Sequence, residues 1–206
     1  MTKWPLLAGI IMVLLLSTAH AGPKSAGDHR FDWLTAEPYV GAGFGPVHHT
    51  GYVPGAPLST KRWVAGQKVF AGASVTSVLA IEFAYYRLGR SPLAFGVATE
   101  HAHAAAAALI ARHPLNENPW FRRPWLDSLS VFAKAGGAYK WIRQTSTAGG
   151  SVAEDGPTYL LGFGLQHDFP DGLFMRAEYE YVGQIGTRRI VDAQHTLVSV
   201  SIGFAF

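Results

Sequence analysis

Apolar side chains recur at every second position over long stretches of this 206-residue chain. In 79–86, Leu79, Ile81, Phe83 and Tyr85 occupy one set of alternate positions, and Ala80, Glu82, Ala84 and Tyr86 the other. In 173–181, Leu173, Met175, Ala177, Tyr179 and Tyr181 alternate with Phe174, Arg176, Glu178 and Glu180. At the end of the chain, Val198, Val200, Ile202, Phe204 and Phe206 alternate with Leu197, Ser199, Ser201, Gly203 and Ala205. A period of two is the repeat of a β-strand, whose successive side chains point to opposite faces. Each strand therefore has one greasy face and one face of small or charged residues.

Two architectures use such strands. A soluble sandwich buries the greasy face and wets the other. A membrane barrel turns the greasy face to lipid and encloses the polar one. The polar face here is rich in Gly and Ala, which suits a cramped lumen. Its charges are of both signs: Glu82, Lys134, Arg176, Glu178 and Glu180. Opposite charges can pair inside a narrow barrel, where an unpaired charge is costly. The greasy rows carry no charge at all, as lipid contact requires, since a midplane Arg or Lys there costs roughly 2–4 kcal/mol. The fold class is therefore all-β, an eight-stranded antiparallel transmembrane β-barrel.

The eight strands are expected at Pro38–Pro46, Gln67–Thr76, Leu79–Leu88, Glu100–His113, Leu129–Arg143, Pro157–Phe169, Gly172–Gly183 and Gln194–Phe206. Turn chemistry marks Thr76-Ser77-Val78 and Asp168-Phe169-Pro170-Asp171-Gly172. Longer connections are expected at Val47–Gly66 and Gln144–Gly156, giving the alternation of short periplasmic turns and longer outer loops. The fourth strand conflicts with local propensity, because Ala104–Ala108 are five consecutive alanines, a helix-favouring run. Topology overrides it: an exported chain with both ends on one side crosses an even number of times, and seven strands would leave open edges in lipid. The connection 114–127 is long for a periplasmic turn, and its Trp120, Phe121, Arg122, Arg123 and Trp125 suit the headgroup level. Trp33, Trp63 and Trp141 likewise fall at or near strand ends, as an aromatic belt requires.

The N-terminus has the form of an export signal. Lys3 precedes the apolar run Leu6–Leu16, and Ala19-His20-Ala21 offers a small-x-small cleavage site. The expected organisation is a signal peptide at 1–21, a short periplasmic segment at 22–37 and a barrel at 38–206. Composition excludes other classes. With 49% hydrophobic and 15% charged residues the chain is not disordered. The absence of Cys removes thiol catalysis, disulfides and Cys-based zinc sites. A formal charge of +3 without a Lys/Arg cluster argues against nucleic acid.

Three stretches then occur in order. They are Leu79–Gly89, with Glu82 inside and a closing Tyr-x-x-Leu-Gly; Phe132-Ala133-Lys134-Ala135-Gly136, running on to Trp141; and Arg176-Ala177-Glu178-Tyr179-Glu180-Tyr181. Together they resemble strands of the outer-membrane protein A-type eight-stranded barrel in its barrel-only form, over most of Pro38–Phe206. The resemblance implies an outer-membrane location in a Gram-negative bacterium. It implies that Glu82, Lys134, Arg176 and Glu178 form salt bridges in the lumen, a network that Glu180 extends. It also implies that Phe204 and Phe206 belong to a C-terminal signal read by the barrel-assembly machinery. Expected partners are outer-membrane lipids, lipopolysaccharide, that machinery and periplasmic chaperones, around a monomeric barrel. The alanine-rich fourth strand and the long segment after it depart from the family pattern.

Eight strands enclose room only for side chains or a very small ligand. The first expectation is a non-enzymatic envelope protein that presents surface loops, with an envelope-integrity, adhesion or recognition role and no cofactor. A narrow small-solute channel is an alternative. A lipid-modifying enzyme is another, for which His167, His195, Ser199 and Ser201 are available, but no His-x-Ser pair occurs. His48 and His49 fall in the first outer loop. His101 and His103, two apart on a strand, share a face on which a metal could bind. The reading preferred for them is a His-rich polar rim, with no metal site assigned.

Overall fold

A computed structural model describes residues 37–52, 59–93, 98–115, 128–146, 149–184 and 194–206. Eight strands follow in chain order: β1 (Glu37–Tyr52), β2 (Ser59–Ser74), β3 (Leu79–Leu93), β4 (Ala98–Pro114), β5 (Leu129–Ser146), β6 (Ser151–Asp168), β7 (Leu173–Val182) and β8 (Gln194–Ala205). Each pairs antiparallel with the next, and β8 returns to β1, closing the barrel. Full closure leaves no unpaired edge, the condition for strands to cross lipid.

Directly paired residues trace a path from Tyr39 through Gly72, Glu82, Ala108, Gly136, Leu160, Val182 and His195. The path returns to β1 at His49 rather than at Tyr39, ten residues further on. This stagger tilts the strands against the barrel axis. It also decides which lumen side chains meet.

Parity along each strand assigns the faces as expected. Phe44, Val69, Ile81, Phe83, Leu109, Leu161, Phe163, Val200 and Ile202 are all exposed on the outer wall. A belt of this extent would be a liability in water, whereas lipid is its natural solvent. Glu82, Lys134, Arg176, Glu178 and Glu180 are all buried inside.

The alanine run of β4 is strand throughout. Its inward Ala104 lies between Tyr86 of β3 and Lys140 of β5, and Ala108 lies between Glu82 and Gly136. Ala104 thus stands between two bulky neighbours, and Ala108 beside one. Two hydrogen-bonded ladders override the local preference for helix.

The strands outrun their expected limits at the end away from the termini. β1 continues to Tyr52 and β2 begins at Ser59, so much of the expected Val47–Gly66 loop is sheet. Most of 144–156 is likewise sheet, in β5 and β6. Beyond the apolar band both faces of a strand can be polar, so the period-two signal fades while backbone pairing continues. Gly89, with φ of 89°, sits in the register shift between Arg87 and Arg90 of β3. The opposite end turns tightly: the Thr76 hydroxyl accepts from the amides of Val78 and Leu79, and Pro170–Gly172 links β6 to β7. The expected signal peptide, Trp33, Trp120, Phe121, Arg122, Arg123 and Trp125 fall outside the described residues.

Candidate functional site: a layered lumen

The interior is filled in layers, beginning at the end that carries both termini. There the Arg176 guanidinium lies among four rings, with centroids at 5.0 Å for Tyr39, 5.1 Å for Phe70, 5.4 Å for Phe132 and 4.8 Å for Phe174. Cation–π attraction strengthens where the cation is desolvated. Arg176 also donates through Nη1 to Glu82 Oε2 at 2.6 Å and through Nε to Gln166 Oε1 at 2.6 Å. Gly41 and Gly203, partners across the β1–β8 seam, leave the space these rings need. A Cβ on Gly41 would stand 2.3 Å from the Phe70 ring, and one on Gly203 would stand 2.2 Å from the Phe174 ring.

The middle layer is ionic. Lys134 Nζ is 2.7 Å from Glu178 Oε2 and 3.3 Å from Glu82 Oε1, and it also pairs with Glu180. Lys68 Nζ is 2.6 Å from Glu178 Oε1 and 2.7 Å from Glu180 Oε2. Tyr86 donates to Glu180 at 2.7 Å, Tyr39 to Glu82 at 3.1 Å, and Ser201 to Glu178 at 3.3 Å. Three cations thus face three carboxylates in a buried interior, and with the three hydroxyls every carboxylate oxygen has a partner. Such completeness is what makes buried charge tolerable.

All five charges singled out from sequence enter this network. Lys68 was not among them, although its parity with Phe70 and Gly72, opposite Val69 and Ala71, places it on the same inner face. At this level β4 offers only alanines and Ile110 inward, which leaves room for the long side chains opposite.

The third layer lies towards the opposite end. His49 Nδ1 is 3.5 Å and His195 Nε2 3.3 Å from the same oxygen, Glu100 Oε1. Gln144 donates to the other oxygen at 3.1 Å. His49 Nε2 bonds the Leu88 carbonyl at 2.8 Å. Lys140 donates to the Gly183 carbonyl at 2.7 Å. Nothing in the strand pattern links positions 49, 100 and 195, so sequence reasoning missed this group.

The histidines weighed as a pair on β4 go elsewhere. His101 and His103 alternate with the buried Glu100, Ala102 and Ala104, so they lie on the outer wall, and His103 Nδ1 is 3.1 Å from the Tyr85 hydroxyl. His48 packs on Trp63 at 4.8 Å between ring centroids. The residues weighed for hydrolysis are likewise dispersed. Ser201 is engaged with Glu178, His195 with Glu100, and His167 packs on Phe169 at 4.6 Å. Ser199 Oγ has no hydrogen-bond partner among the described residues.

Several solved structures share this architecture. Ail, the attachment invasion locus protein of Yersinia pestis, superposes with a TM-score of 0.55 at 13% identity, over 84% of this chain and 100% of Ail. Neisserial surface protein A gives 0.60 at 12% identity, over 82% and 97% of the two chains. The N-terminal β-barrel domain of Pseudomonas aeruginosa OprF gives 0.52 at 13% identity, over 84% and 100%. At these identities the likeness speaks to fold alone. No curated protein matches by sequence. The model of the OmpA-like transmembrane domain matches residues 35–206, a span that includes every strand of the barrel and every layer of its lumen, and the chain therefore belongs to the OmpA-like transmembrane domain family.

Proposed function

We propose that this protein is a non-enzymatic barrel of the Gram-negative outer membrane. Its sealed body anchors and presents the segments joining its strands at the end away from the termini. The observation that carries this reading is the layered lumen: aromatic rings around Arg176, a balanced ionic core, and a third layer around Glu100. Side chains that fill a barrel in this way serve stability rather than transport. The apolar outer belt supports lipids and lipopolysaccharide as the surroundings of the barrel, and a monomer suffices because the sheet closes on itself.

Phe204 and Phe206 lie on that outer wall, 5.4 Å apart between ring centroids, and the Phe206 amide donates to the Pro38 carbonyl at 3.0 Å. A terminal aromatic pair at the closing seam suits a signal that chaperones deliver and the assembly machinery reads. Current recording across planar bilayers tests the sealed body. Purified protein should add no stepwise conductance to the bare membrane. Steady open-channel steps would move the reading to a solute channel.

A further inference from the structure

We infer that His49, Glu100 and His195 form a binding site for one divalent transition-metal cation of the zinc class, set inside the barrel and tying β4 to the β1–β8 seam. The three side chains are buried, and their donor atoms all lie within 4.8 Å of one another.

The hydrogen-bonding partners decide what each atom offers. The Leu88 carbonyl can only accept, so His49 Nε2 carries the proton that binds it. In the neutral ring Nδ1 is then a bare lone pair, and it faces a carboxylate oxygen at 3.5 Å. Two acceptors facing each other at a buried position call for a positive charge between them. Gln144 holds Glu100 Oε2 and leaves Oε1 turned toward both histidines. This is the outer-shell support that orients metal ligands.

The spacing also suits a metal. Bonds of about 2.0–2.2 Å at tetrahedral angles put ligand atoms about 3.3–3.5 Å apart. The two Glu100 contacts, at 3.5 and 3.3 Å, match that span, whereas the three donor atoms as a set lie only within 4.8 Å of one another, so the side chains must close on the cation to bind it. Two imidazoles and one carboxylate form a nitrogen–oxygen donor set suited to zinc, with a fourth position left for water. His49 and His195 are register partners whose rings meet edge to face at 4.4 Å, and each places one ring nitrogen toward the same Glu100 oxygen. His49 Nδ1, the atom offered to the cation, has no hydrogen-bond partner among the described residues. The competing occupant is a second proton on His49, giving an imidazolium–carboxylate pair.

Zinc titration of the chelator-stripped barrel in detergent separates the two. The expected result is one zinc per chain by calorimetry and elemental analysis, with histidine 15N shifts at His49 Nδ1 and His195 Nε2 and none at His101 or His103. His195→Gln and Glu100→Gln should each weaken binding at least about 10-fold, and heat-modifiable migration reports whether each variant is folded. Cobalt(II) bound to the unmutated protein should show the visible bands of a four-coordinate site, a readout that depends on no variant. The inference is overturned if zinc at micromolar concentration moves no lumen histidine, if binding is unchanged in folded His195→Gln, or if the shifts fall on His48, His101 or His103.

Discussion

Arg176 and Glu82 meet at 2.6 Å across a sequence separation of 94 residues, at the boundary between the aromatic and ionic layers. The contact joins β7 to β3 through the lumen rather than along the sheet. It couples barrel closure to charge neutralisation: until both strands are in place, Arg176 lacks the Glu82 carboxylate and Glu82 keeps only Lys134 as a cationic partner.

Removing one partner should therefore cost far more than losing a surface ion pair. Arg176→Ala is expected to destabilise the folded barrel by about 3–5 kcal/mol, measured as the shift in reversible urea unfolding in lipid vesicles. A loss within ~1 kcal/mol would mean that the pair behaves like an exposed one. Glu82→Gln should fall in the same direction, and the double variant should cost less than the sum of the two, because the contacts are shared.

Glycines of the barrel should divide by what lies opposite them. Gly41→Ala places a Cβ 2.3 Å from the Phe70 ring and 2.8 Å from the Ile202 carbonyl oxygen, which is backbone and cannot rotate away. A loss of about 1–3 kcal/mol is expected. Gly137 has nothing within 4 Å of its Cβ position, so Gly137→Ala should stay within ~0.5 kcal/mol of the parent. Equal losses at both positions would remove the packing explanation.

The orientation of the outer wall predicts a response to charge. Leu161 is exposed near the middle of β6. Leu161→Arg should cost roughly 2–4 kcal/mol in a bilayer. The same unfolding measurement in vesicles reads it, and a neutral result would place that surface in water.

The C-terminal aromatics are expected to matter for assembly more than for final stability. Phe206→Ala should lower the fraction of heat-modifiable barrel recovered from cells. Refolding of the same variant from urea into detergent should proceed as for the parent. Equal impairment in both settings would make Phe206 a packing residue rather than a recognised one.

How much of this was legible beforehand depended on distance along the chain. Parity is a local property, so the inward placement of Glu82, Lys134, Arg176, Glu178 and Glu180 could be read from alternation alone, and Lys68 lay within reach of the same rule. Strand ends were read short at Tyr52 and Ser146 because alternation loses its apolar marker once both faces are polar, although the ladder continues. The alanine strand needed a topological reason, since its own residues favour helix.

The identity of each partner across the lumen was out of reach of any local rule. Lys68 meets Glu180 over a separation of 112 residues, and His195 meets Glu100 over 95, because the closed sheet is staggered by ten residues. That stagger arises only when β8 finds β1, and it sets the height at which every inward side chain sits. Alternating oily and polar positions determined that there would be a wall with two faces. Closure decided which charges, rings and histidines share a layer, because contact inside a cylinder depends on the register of all eight strands together.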